Sequence, residues 1–95
     1  MIVVRSTFRA RQGHIRSMVE AMKQTTANAP DRPRILTELS GPMNTMIMES
    51  RHASLAAYEQ WRAAMFQSSE FQGGQDSMNI WLESGSTEFY TIEQE

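Results

Sequence analysis

Apolar residues in this chain recur at every second position in some segments and every third or fourth in others. The order of those segments is what most limits its fold. Over Ile2–Arg11 the period is two. Ile2, Val4, Ser6, Phe8 and Ala10 share one face, and Val3, Arg5, Thr7, Arg9 and Arg11 share the other. Gln12-Gly13 stops this strand. His14–Thr26 changes to helical spacing, with Ile15, Met18, Val19 and Met22 in one stripe and Glu20 one turn from both Arg16 and Gln24. Asn28–Pro33, with two prolines and an Asp, ends the helix. Arg34–Ser40 predicts a second strand, with Ile35, Thr37 and Leu39 on one face and Leu36, Glu38 and Ser40 on the other. After the turn Gly41–Asn44, Thr45–Arg51 returns as a third strand. Met46, Met48 and Ser50 face one way, and Thr45, Ile47, Glu49 and Arg51 the other. So short a link predicts an antiparallel hairpin.

Ser54 is placed to cap a second helix, in which Leu55, Tyr58, Trp61, Arg62 and Met65 follow at helical spacing. That helix frays near Ser68-Ser69, and Gly73-Gly74 then breaks the chain as a hinge. Met78, Trp81 and Leu82 predict a short helical turn capped by Gly85. Ser86–Glu93 predicts the last strand, with Thr87, Phe89 and Thr91 on one face and Glu88, Tyr90 and Ile92 on the other.

The order β-α-β-β-α-β with an extra helical turn is that of an α+β, ferredoxin-like antiparallel sheet with its helices on one face. At 95 residues and 10.9 kDa the chain makes one domain, residues 1–95, with one modest core. The uncovered sheet face carries Val3, Arg5, Thr7, Leu36 and Ile47 beside Glu38 and Glu49. That mixture suits a second copy of the same sheet, with a semi-polar cavity between the two. The chain has no cysteine, which excludes a disulfide scaffold, a thiolate metal site and a cysteine nucleophile. A net charge of −2 argues against general nucleic-acid binding. No segment reads as a membrane span or signal sequence, so the expected compartment is the cytoplasm.

Three stretches carry a family resemblance: IVVRSTFRARQGHIRSMVEAM, GPMNTMIMESRHASLAAYEQWRAAM and WLESGSTEFYTI. Together they resemble the dimeric α/β-barrel superfamily, in particular its NIPSNAP-like and antibiotic-biosynthesis-monooxygenase-like members. The matching features are the Gly-containing turn Arg11-Gln12-Gly13-His14, with Gln12 where Pro is more usual, and the Ser84–Tyr90 element opening the last strand. The resemblance implies a homodimer whose two sheets pack face to face. It also implies a small organic ligand held between sheet and helices, or oxygenase, isomerase or haem chemistry there, in several members without metal or cofactor.

The candidate site gathers Arg5, Asn44, Glu49 and His52 as catalytic residues and Arg51, Tyr58 and Trp61 as substrate-binding ones. Arg suits a carboxylate or phenolate, Glu or His moves a proton, and Tyr and Trp form a wall with a polar tip. The monooxygenase-like resemblance calls for an Asn, a Trp and an Arg around one cavity, parts open to Asn44, Trp61 and Arg5. The plainer readings are a cross-strand Arg5–Glu49 ion pair inside a dimer, and Tyr58 and Trp61 as core. His52 is also the one expected axial ligand if haem binds. His14 reads as an exposed helix-start residue, and Glu88 as the partner of an arginine across the sheet. No metal-ligand spacing, phosphate loop or nucleophile elbow occurs. The function expected is small-molecule binding, with oxygenation of an aromatic or polyketide-like compound as its catalytic form. The alternative is a non-catalytic ligand-binding or regulatory dimer.

Overall fold

The computed structural model orders the elements as β1 (Ile2–Ala10), α1 (Ile15–Thr26), β2 (Arg34–Thr37), β3 (Thr45–His52), α2 (Leu55–Phe66), α3 (Ser69–Trp81) and β4 (Leu82–Thr91). It describes residues 1–29 and 31–95, and for 69–71 the backbone. Pro30, one of the two prolines expected to end α1, therefore lies outside the described residues. The strands form one sheet in the order β2-β3-β1-β4, each neighbouring pair antiparallel. This is the ferredoxin-like arrangement.

Register follows from the alternation of β1 and β3. Val4 lies opposite Ser50, Ser6 opposite Met48 and Phe8 opposite Met46. A slip of one residue would turn Met46 and Met48 to the open face, so burial locks the pairing. α1 lays its stripe on these strands, and Met18, Val19 and Met22 join Ala10, Met46 and Met48 in the core. Four of those six are methionines, whose unbranched chains fill an irregular space between helix and sheet. Met18 and Met46 are wholly buried, so truncating either to Ala should cost about 2–5 kcal/mol. The principal extents of 36 × 33 × 19 Å describe a slab of two layers.

The structure corrects four boundaries or roles. β2 ends at Thr37 rather than Ser40, because Glu38 turns its carboxylate onto the backbone N–H groups of Asn44 (2.8 Å) and Thr45 (3.1 Å). Its own backbone N–H first, and then that of Asn44, hold the Glu38 carboxyl below its usual range. The link between β2 and β3 is thereby clamped, and Gly41 and Asn44 in it take positive φ values of 121° and 63°. Gly73-Gly74 does not break the chain: both lie within α3, which runs from Ser69 to Trp81. Gly74, Ser77, Met78 and Trp81 are partly buried at helical spacing, and α3 packs on α1. Packing thus overrides the low helix propensity of glycine.

Leu82 starts β4 instead of ending a helical turn, and β4 spans Leu82–Thr91 rather than Ser86–Glu93. The Trp81 carbonyl accepts the Arg11 N–H at 2.7 Å, which ties the end of α3 to the end of β1. Glu83 is bulged out between the pairs Ala10–Leu82 and Arg9–Ser84. Gly85 is no helix cap. It sits in β4 opposite Phe8, whose ring lies 3.4 Å from where a Cβ would stand. The aromatic side chain covers the glycine and restores the contact that its missing side chain gives up. The expected hydroxyl cap of α2 is present, with Ser54 Oγ accepting the Ala57 N–H at 3.1 Å.

Candidate functional site

The sheet separates the seven candidate residues. Arg5, Glu49 and Arg51 occupy odd positions on the open face, and His52 occupies an even position on the helix-covered face. Asn44 belongs to neither group. It sits in the link before β3, donates from Nδ2 to Gln12 Oε1 at 3.1 Å, and lies eight residues from His52 along β3, about 26 Å. The expected cavity shared by Asn44, Trp61 and Arg5 is therefore not assembled within this chain.

On the open face Arg5 donates from Nε (3.2 Å) and Nη2 (3.0 Å) to one Glu49 oxygen. The other Glu49 oxygen stands 3.8 Å from Arg34 Nη1. Arg5 also lies over the Tyr90 ring, 5.5 Å from its centroid. Tyr90 in turn donates its hydroxyl to Glu88 at 2.7 Å, a bond that raises the phenol above its usual value. Arg51 pairs with Glu95 at the rim. The face is thus a continuous ionic chain laid between Val3, Leu36 and Ile47, with the expected cross-strand pair at its centre. Glu88, expected to pair with an arginine, holds Tyr90 instead.

On the helix side a different group converges. His52 is 6% exposed. Its Nε2 is 2.9 Å from Ser50 Oγ, two residues back on the same strand face. Tyr58 and Trp61 from α2 stand against the imidazole, with ring centroids 5.3 and 5.2 Å away. Phe89 of β4 meets the edge of Tyr58 at 5.4 Å. Nearby on the same face Ser6 and Thr87 share a hydroxyl–hydroxyl contact of 3.2 Å across β1 and β4. Burial pushes the His52 pKa below its usual value, opposed only in part by the charge of Asp31. The result is a neutral imidazole, able to accept a proton, beside an aromatic wall that is partly open to solvent. Ser50, Ser6, Thr87 and Phe89 were not among the expected residues. The available signal was Ser6 and Ser50, two hydroxyls at positions where their strand faces are otherwise apolar.

Haem does not fit at His52. Its Nε2, the nitrogen an axial ligand would offer, is engaged by Ser50, and Tyr58 and Trp61 stand against its ring where a porphyrin plane would have to lie. Among the described residues no group of three His, Cys, Asp or Glu side chains is placed to hold a metal ion. Nor is any helix there long and apolar enough to cross a membrane.

No family model matches the sequence, and no curated protein matches it. Solved structures do match. A NIPSNAP-like domain protein from Burkholderia xenovorans superposes with a TM-score of 0.85 at 14% identity, covering 98% of this chain and 85% of that one. A NIPSNAP family protein from Agrobacterium tumefaciens gives 0.83 at 17% identity, with 98% and 88% covered. A provisionally assigned antibiotic biosynthesis monooxygenase from Nitrosomonas europaea gives 0.76 at 15% identity, with 99% and 100% covered. The likeness is one of fold. It extends over nearly the whole chain and agrees with the resemblance read from the sequence.

Proposed function

We propose that this protein is a homodimer, paired through its open sheet faces, that binds a small aromatic compound at the helix-side cluster around His52. The observation that carries the binding site is a buried, neutral imidazole walled by Tyr58, Trp61 and Phe89. Surface area supports the pairing. The chain exposes 6507 Å², whereas a monomeric protein of its mass exposes roughly 5,600 Å². The excess is comparable to the ~800 Å² that each partner contributes to a standard interface.

The catalytic form of this reading is oxygenation without a cofactor; the Nitrosomonas europaea neighbour is provisionally assigned as an antibiotic biosynthesis monooxygenase. His52 takes a proton from an acidic C–H of a phenol-related ketone, leaving an electron-rich enolate. The enolate reacts with dioxygen. One oxygen atom becomes the new carbonyl, and the other leaves as water with the two hydrogens of the original CH₂. Anthrone is a suitable test substrate, since its CH₂ group becomes the second carbonyl of anthraquinone. The wild-type protein should consume one dioxygen per anthraquinone formed, and His52→Gln should slow this about a hundredfold or more. Equal rates in wild type and a folded His52→Gln variant would remove the catalytic reading. Saturable anthrone binding without product would leave the ligand-binding dimer.

A further inference from the structure

Two cavities open among the three helices, on the far side of Trp61 from His52. One lobe of about 270 Å³ opens between the C-terminal half of α1 and α2, floored by Trp61, Ala64 and Met65. Another of about 360 Å³ opens between α1 and α3, floored by Met18, Met22, Met78 and Trp81. Thr25 lines both, so the two lobes lie side by side along α1 with its side chain between them. The lobe against α3 alone reaches the size of a small-molecule site.

Charge is what separates this crevice from the rest of the surface. Charged residues make up 21% of the chain, yet among the described residues none lines either lobe. Four carboxamides stand there instead: Gln24 and Asn28 at one lobe, Gln75 and Asn79 at the other. Thr25 spends its hydroxyl proton on the Ala21 carbonyl at 2.9 Å, so toward the crevice its oxygen acts as an acceptor. An apolar floor whose described lining holds amide groups and no ion disfavours a charged guest, which would lose its hydration and find no counter-charge among the described residues. It accepts an elongated neutral one bearing a few carbonyl or hydroxyl groups.

We propose that the α1–α2–α3 crevice is a binding site for uncharged, largely apolar organic molecules, distinct from the His52 cluster, with which it shares Trp61. The site requires no turnover: a protein that fills this crevice and transforms nothing satisfies the proposal.

Both tryptophans of the chain line it, Trp61 in one lobe and Trp81 in the other, so intrinsic fluorescence reports occupancy. The neutral dye N-phenyl-naphthylamine and its anionic relative anilinonaphthalene sulfonate make a matched pair of probes. Gly74→Leu is the blocking variant. Gly74 lines the α3 lobe, has nothing within 4 Å of a built Cβ, and takes a better helix former without strain. Gly73→Leu, on the same helix and also unobstructed but not lining the crevice, is the control.

The neutral dye should bind saturably with quenching of tryptophan emission, and at least about tenfold more tightly than the sulfonate. Gly74→Leu should weaken it by about tenfold, and Gly73→Leu should leave it unchanged. Equal affinity for both dyes would overturn the proposal. So would unchanged affinity in a Gly74→Leu protein whose helical circular dichroism matches wild type. Absence of any saturable binding of the neutral dye to the wild type would overturn it as well.

Discussion

At His52 the penalty for charging an imidazole away from water outweighs the attraction of Asp31, and this sets a pH dependence. In the unfolded chain the ring titrates at its usual 6.5, while in the folded protein it titrates lower. Below 6.5 the unfolded chain therefore binds a proton that the folded site resists. Stability is full above that pH and falls as pH drops through 6.5 toward the folded value. Urea midpoints measured on either side of 6.5 should show this loss, and His52→Gln should flatten it. A midpoint in wild type that rises on acidification across that range would contradict the burial of His52. The sequence puts His52 one residue past the expected end of β3 and leaves open which way its ring points. One residue of extra strand, Thr45–His52 against Thr45–Arg51, decides that, and His52 then falls on the same face as Met46, Met48 and Ser50. Tyr58 and Trp61 are both wall and packing, so the choice between site and core was not one that helical spacing alone could make.

At the scale of elements, segments with a regular apolar stripe were legible and segments held by context were not. β1, α1, β3 and α2 each announce themselves through periodicity, and their bounds in the structure agree within a residue or two. α3 hides because Gly73 and Gly74 mimic a break, and its stripe through Gly74, Met78 and Trp81 includes a residue with no side chain. β4 hides its first residues because Leu82 fits both a helical stripe and a strand, and only pairing with Ala10 chooses between them. Gly73 is exposed and a Cβ there meets nothing within 4 Å. Gly73→Ala should therefore stabilise the protein by about 0.5–1 kcal/mol, read as a higher urea midpoint at unchanged slope. A lower midpoint would mean that this part of α3 is not helical in solution.

Over the whole molecule, the two faces of the slab divide the work. The helix side holds the His52 cluster and the uncharged crevice, and the open side holds the Arg5–Glu49–Arg34 chain among Val3, Leu36 and Ile47. With the open side wet, Arg5 is 42% exposed and its ion pair contributes about 0–1 kcal/mol. Once a second sheet covers it, breaking the pair costs about 3–5 kcal/mol, because the abandoned charge is then buried alone. Arg5→Ala should accordingly weaken the proposed dimer far more than it destabilises the protomer. The residues expected from sequence to share one site part company here, since alternation along β1 and β3 puts Arg5 and Glu49 on the open face and His52 on the helix-covered face. Sedimentation velocity of the wild-type chain beside Ile47→Glu tests the division of faces most directly. A dimer is expected for the wild type at micromolar concentration, and a folded monomer for the variant, in which pairing would bury an added carboxylate on the open face. A wild-type protein that stays monomeric at every concentration, or a variant that dimerises as tightly, would contradict it.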